Sequence, residues 1–251
     1  CLVLKRHKSF IKKSNFMKTY FQFAFILVCF LSFSLQVSAS SRTLEIPTFT
    51  GFNVTNSFNV VLKQGNKQSV KVEGDEKTIN KIQTIVKNGI WSIATESDGK
   101  YSKNNYSSKQ KTTVYITIPT LKHIGVSGSG SVNCEDFDVN SIKLAIAGSG
   151  KINIRVNASA NIKTAISGSG NINVSGSGNE MSASIAGSGN IAGKSLKVKS
   201  LDARISGSGN VHANVSSSIT ASISGSGNVI YTGNPDVSSK TSGSGKVKAS
   251  R

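Results

Sequence analysis

The stretch SIKLAIAGSGKINIRV, residues 141–156, decides the fold. Apolar side chains fall at Ile142, Leu144 and Ile146, a Gly148-Ser149-Gly150 triplet interrupts them, and Ile152, Ile154 and Val156 resume the beat. Apolar spacing of two marks an extended strand with one face buried. The triplet supplies a tight corner, because glycine reaches φ > 0 without steric cost. One such unit has nothing of its own to bury its apolar face against, so it requires neighbours.

The neighbours are in the sequence. The triplet recurs with its first glycine at Gly128, Gly148, Gly168, Gly187, Gly207, Gly225 and Gly243, at spacings of 20, 20, 19, 20, 18 and 18 residues. The closing glycines are Gly130, Gly150, Gly170, Gly189, Gly209, Gly227 and Gly245, and one extra copy at Gly176 falls out of phase. Gly/Ser-rich sequence is ordinarily a flexible linker, but here the intervening residues are patterned. Ile162/Thr164/Ile166, Met181/Ala183/Ile185, Leu201/Ala203/Ile205 and Ile219/Ala221/Ile223 hold the same offset before their triplets as Ile142/Leu144/Ile146.

Repeats that cannot close alone stack into a solenoid with a continuous core. The pattern predicts an all-β fold, a right-handed parallel β-helix with corners marked by the triplets and coils of about 18–20 residues. Coils stack at about 4.8 Å, so seven of them make a rod roughly 35 Å long. The triplet serines are expected to stack as a hydroxyl ladder, and Asn171, Asn190, Asn210 and Asn228 as a second ladder. Triplet spacing leaves open whether a coil has two sides or three.

Residues 40–120 lack the triplets but stay rich in strand patterns, and they hold the single Trp91. They are expected to form the cap and first coils, with the repeat proper over 121–251. Ile79, Ile82, Ile85 and Val86 fit a helical turn as well as a strand. At the other end Lys246, Lys248 and Arg251 discourage strand addition to an open edge.

The amino end carries an address. From Met17, a basic start, an apolar run over 21–35 and small residues at Val37-Ser38-Ala39 make the three-part layout of a secretory signal peptide, residues 17–39. The run is shorter than the ~20 residues a spanning helix needs. Residues 1–16 read as an upstream extension outside the fold. The protein is therefore expected to be exported: periplasmic, on the outer surface, or secreted. The whole chain has 30 basic and 12 acidic residues, a net charge of +18. Residues 1–39 hold six of the basic ones and no acidic one, leaving 24 against 12, or +12, in the remainder. That remainder keeps one cysteine, Cys134, so no internal disulfide staples it.

With these residues in view, the chain resembles a known group. The opening GFNVTNSFNVVLKQGNKQSVKVEGDE, the NGIWSI step and the recurring SGSGNI and SGSGKI phrases are similar to the bacterial auto-transporter adhesin head GIN domain. The likeness runs from about Leu44 to the end. It implies a signal peptide followed by a right-handed β-helix. No catalytic or ligand residue comes with it, so none is carried over. No long carboxy-terminal translocator barrel follows in this chain, which gives no support to self-export.

Chemical motifs were weighed against plainer roles. No triplet is followed by a crossover helix, and Gly150-Lys151 leads into Ile152, so the triplets are corners and not phosphate loops. The position after each triplet holds Asn, Lys or Ser where a calcium repeat needs an aspartate. No metal, cofactor or catalytic residue is assigned. Glycoside hydrolysis needs facing carboxylates; Asp136 and Asp138, two apart, can share a side, but a solvated corner explains them. Lysines scattered without stacking aromatics argue against a nucleic-acid partner. The basic segment 96–111 is the candidate ligand loop, with Lys100, Tyr101, Lys103, Asn105 and Tyr106 as its contact residues.

The resulting expectation is an exported, non-enzymatic, adhesin-like module that binds glycans or acidic extracellular polymers. The alternatives are a structural protein that self-associates in the envelope and, third, a polysaccharide-degrading enzyme.

Overall fold

Each triplet needs its two glycines for different reasons. The first has a left-handed backbone, with φ between 106° and 126° from Gly128 through Gly243. The second has no room. A Cβ on Gly150 would lie 2.5 Å from Val126 Cγ1 and 2.8 Å from the Gly130 carbonyl oxygen of the preceding coil. The serine between them keeps its backbone in the ladder: the Ser149 N–H donates to the Gly128 carbonyl and the Ser169 N–H to that of Gly148, both at 3.0 Å. The expected hydroxyl ladder does not form among the described residues. The corner stacks through its backbone because the glycines bring successive backbones into direct contact.

The computed structural model describes residues 40–95 and 112–250. The signal-peptide and upstream-extension readings fall on residues outside this set. The segment Ala39–Arg251 is a unit of its own, with one continuous core. Its strands are β1 (Ser40–Thr43), β2 (Gly51–Asn56), β3 (Asn59–Gln64), β4 (Ser69–Gly74), β5 (Val86–Lys87), β6 (Ile90–Ile93), β7 (Thr113–Ile118), β8 (His123–Gly128) and β9 (Ser131–Val139). Then come β10 (Ile142–Gly148), β11 (Lys151–Ala158), β12 (Asn161–Gly168), β13 (Asn171–Ser177), β14 (Glu180–Gly187), β15 (Asn190–Gly207), β16 (Asn210–Gly225), β17 (Asn228–Thr232), β18 (Asp236–Ser242) and β19 (Lys246–Ala249).

These strands build the parallel β-helix that the triplet spacing predicts. Before the corners, the order is β6–β2–β8–β10–β12–β14–β15–β16–β18, all parallel. After the corners it is β7–β3–β9–β11–β13–β15–β16–β17–β19. A third buried run follows a bend in the post-corner strand. Glu135 and Asp136 are both exposed before Phe137 is buried, and Lys194 and Ser195 likewise before Leu196. The strand register shifts at the matching places. The coil therefore has three sides. The extra triplet lies on the third, where Gly176 stacks on Val156 and beneath Leu196.

Stacking in register turns the sequence repeat into columns. One runs Val54, Val126, Ile146, Ile166, Ile185, Ile205, Ile223. Its neighbour tapers: Trp91, Phe52, Ile124, Leu144, Thr164, Ala183, Ala203, Ala221, Ser239. The post-corner face tapers too, to Gly193 and Ala213. Less volume inside needs less chain around it, which accounts for the drop in repeat length from 20 to 18 residues toward the end. Thr164, the one polar member deep in the column, donates its hydroxyl to the Ser182 carbonyl at 3.1 Å.

The wide end is closed out of sequence order. After β2 and β3 the chain adds β4, antiparallel to β7, and the earlier β1 pairs antiparallel with β4. The chain then passes through the one-turn helix α1 (Glu76–Asn80), capped where the Asp75 carboxylate accepts from the Thr78 N–H at 3.0 Å. β5 and β6 follow as an antiparallel pair. The β6–β7 coil thus lies outside the β2–β3 coil, and β8 resumes on the inner side. Of the four ambiguous aliphatics, Ile79 is buried on α1, Ile82 is buried beyond it, Val86 is in β5, and Ile85 is 58% exposed. Trp91 and Phe49 fill the end, with ring centroids 5.5 Å apart and the indole N–H donating to the Gln83 carbonyl at 2.8 Å.

Gly207→Ala should cost at least ~2 kcal/mol in urea unfolding, since it adds a left-handed Cβ against the Gly187 carbonyl. Ser208→Ala, in the same corner, should stay within about 0.5 kcal/mol. Equal costs would mean that the hydroxyl and not the backbone approach carries the corner.

Candidate functional site

The candidate ligand loop, with Lys100, Tyr101, Lys103, Asn105 and Tyr106, lies outside the described residues. It joins β6 to β7, the same two sides that a triplet joins in later coils. In the coil of β2 and β3 that corner is Asn56-Ser57-Phe58, with Asn56 at φ 66°. The Ser129 N–H donates to the Asn56 carbonyl at 3.1 Å and the Ser131 N–H to the Phe58 carbonyl at 3.0 Å. Asparagine tolerates the left-handed region better than most side chains, so this corner forms without a glycine and escapes a search for the triplet.

Titratable residues outside the candidate ligand loop lie among contacts within the solenoid. Asp136 and Asp138 do share the outer side of β9, flanking buried Phe137. Asp136 pairs with Arg155 at 3.0 Å, and Asp138 accepts from the Asn157 amide at 3.0 Å. Asp202 is held by Arg204 at 2.9 Å. His212 lies in register between Ala192 and Ile230. His123 meets Asn53 through Nε2 and Oδ1 at 2.9 Å. Burial, and then the nearby Lys143 charge, lower its pKa. Tyr115, partly exposed on β7, bonds Glu73, which keeps its phenol protonated to higher pH; Lys71 holds the same carboxylate at 2.7 Å.

Amide ladders line the outer faces. Asn190 donates to Asn171 at 3.3 Å, Asn210 to Asn190 at 3.0 Å and Asn228 to Asn210 at 3.0 Å, forming the ladder expected after the triplets. A further one, Asn173 to Asn153 to Asn133, at 2.6 and 2.7 Å, lies two residues along. Its signal in the sequence is the asparagine that ends SVN, KIN and NIN, residues 131–133, 151–153 and 171–173, at the same offset after each triplet.

A concavity lies where coils connect, not where they turn on glycine. A groove of about 740 Å³ follows the connections β7–β8, β9–β10 and β11–β12. Its lining includes Lys122, Lys143 and Lys163, with Asp138, Asn140 and Asn161. Lys143 and Lys163 are register partners on adjacent coils. Both also line a smaller depression of about 220 Å³ on the neighbouring sheet face. Like charges directly opposite in a sheet are destabilising, and none of the described ion pairs neutralises either lysine. Sequence reading missed this cluster because the three lysines are about a coil apart in the chain and meet only when coils stack.

Comparison with known proteins fits this geometry. The family model described as "Putative auto-transporter adhesin, head GIN domain" matches residues 48–235. The chain belongs to that head GIN domain family. No curated protein matches the sequence. Among solved structures, a "putative adhesin" from Bacteroides fragilis is 24% identical with a TM-score of 0.73, covering 86% of this chain and 98% of that one. A "putative lipid binding protein" from Parabacteroides distasonis is 23% identical with a TM-score of 0.67 and the same coverage. A "putative adhesin" from the same species is 19% identical with a TM-score of 0.64, again with that coverage. At these identities the likeness establishes the fold alone.

Within this head GIN domain the one thiol of the unit is part of the core. Cys134 stacks between Leu62 and Ile154, and burial, with the charges of Asp136 and Glu135, pushes its pKa up to about 12. An unfolded thiol ionises near pH ~8.5. Between those values the unfolded chain releases a proton that the folded one keeps, so stability falls as pH rises from about 9 to 12. Cys134→Ala should flatten that decline in urea melts at pH 8, 9 and 10, by up to ~1.4 kcal/mol per pH unit. An unchanged slope would show that other groups cause it.

Proposed function

We propose that this protein is an exported, non-enzymatic binding module that holds glycans or other extracellular polymers along its solenoid. The observation that carries the reading is the groove along the coil connections, which carries three lysines against one aspartate and is built from residues of successive coils. A binding surface repeated along a rigid rod suits an extended polymer, since each coil adds a small contact at a fixed step. Membership of the adhesin head family supports a role in attachment. The signal-peptide pattern of residues 17–39 supports export, and no helix among the described residues is long and apolar enough to cross a membrane. The engagement of Asp136, Asp138 and Asp202 in local pairs supports binding without hydrolysis.

A second reading, self-association through the solenoid end, has one observation in its favour. β18 and β19 each pair with a described strand on one side only. Exposed Lys240, Lys246 and Lys248 on these strands oppose it by like-charge repulsion.

Glycan-array binding of residues 39–251, at low and at physiological salt, tests the function. Selective binding that persists at physiological salt is expected. Loss of all binding on raising the salt would reduce the attraction to screened, non-specific charge. A concentration-dependent rise in mass by light scattering, without glycan binding, would favour the second reading.

A further inference from the structure

We infer that Lys122, Lys143 and Lys163 form a site for consecutive anionic groups, carboxylates or sulfates, of an unbranched acidic polysaccharide lying along the solenoid axis. The inference deepens the binding-module reading and rests on it.

The spacing comes from the sheet. Lys143 and Lys163 occupy the same register position on β10 and β12, so their backbones are one strand spacing apart, about 4.8 Å. His123 is the next member of that column, below Lys143. Lys122, beside it, takes the Lys143 N–H on its carbonyl at 3.0 Å. Lys143 and Lys163 thus start one above the other along the rod axis, with Lys122 at the foot of the column, an arrangement that suits a linear ligand over a compact one.

The charges are uncompensated. The described ion pairs consume Glu73, Asp136 and Asp202 on Lys71, Arg155 and Arg204, and leave these three lysines without a carboxylate. Asp138 is the one acid of the groove, and it is occupied by Asn157. Three lysines against one aspartate leave the lining positive. Neutral groups for sugar hydroxyls stand beside them, since the Asn161 side-chain amide has no partner within the described chain. Of the apolar residues in the lining, Leu121 and Ile142 are 1% and 2% exposed, so only Pro119 and the partly exposed Val139 reach the surface. Two small apolar residues give little floor for an acyl chain, and the vesicle arm of the test separates a lipid from a polysaccharide.

The site is also bounded. Beyond Lys163 the column continues as Ser182 and then Asp202, which is paired with Arg204, so the unpaired positive charge ends within two coils. The footprint therefore spans only a few anionic sugars, and affinity should stop rising beyond a short oligomer.

The test is calorimetric titration of residues 39–251 with oligogalacturonates of increasing length, dextran sulfate, neutral dextran, and phosphatidylglycerol vesicles at physiological salt. The K143Q/K163Q variant is compared with K197Q/K199Q, which removes the same charge from exposed positions on β15. The expected result is binding of the acidic glycans, a plateau with oligomer length, and a loss of about tenfold or more in K143Q/K163Q only. Thermal melts should show K197Q/K199Q close to the parent and K143Q/K163Q no less stable than it, since the four lysines are exposed and Lys143 and Lys163 repel each other. Equal losses in the two variants, binding of vesicles alone, or binding of neutral glycans untouched by K143Q/K163Q would each overturn this site. The last of these would leave the binding-module reading standing. Binding of none of these probes, joined to a silent glycan array, would overturn both.

Discussion

The contact between one Gly-Ser-Gly corner and the next is the constraint on which the structure depends. The first glycine bends the backbone into a region closed to other residues, and the second removes the atom that would hold adjacent corners apart. What remains is backbone on backbone, with the serine N–H of the first six triplets bound to a carbonyl one coil back. A corner fixed this closely leaves a coil no freedom to slip. Once it is set, a one-residue shift would turn every core side chain outward. The isoleucine columns and the asparagine ladders are consequences of that phasing.

The taper of the core gives the solenoid a direction. Bulk is concentrated at the Trp91 and Phe52 end and falls through Leu144 and Thr164 to alanine. The wide end needs a lid large enough to cover aromatic rings, and the chain builds one from β1, β4, α1, β5 and β6 before it resumes stacking. The narrow end closes by composition instead. Ser239 and Thr241 stand in the positions that Ala221 and Ile223 hold one coil earlier, and Val237 is 41% exposed. Hydrophobic stabilisation is therefore graded along the rod, greatest beside the lid and least in the last coils.

Two kinds of polar order cover the outside. Neutral amides pair with one another along the post-corner side and satisfy much of their own hydrogen-bonding capacity. Along the coil connections the polar groups are charged, and some lack partners. The same stacking that aligns asparagines favourably aligns Lys143 with Lys163 unfavourably. One repeat thus yields a self-contained face and an edge that gains by meeting an anion.

The sequence by itself determined the local and periodic features. Strand alternation, corner position, the asparagine ladder after the triplets and the family resemblance all depend on neighbours in the chain or on a fixed repeat, and each is legible as spacing. The tertiary structure alone decided whatever depends on which coil lies against which. The third side was hidden because a bend needs only two exposed residues in a row, as at Glu135-Asp136. The outward placing of the β6–β7 coil leaves no trace in residue order, since parallel strands carry no mark of their neighbour. The corner at Asn56 lacks the triplet altogether. The lysine groove is the clearest case: Lys122, Lys143 and Lys163 read as scattered charge until stacking brings residues a coil apart to within one strand spacing.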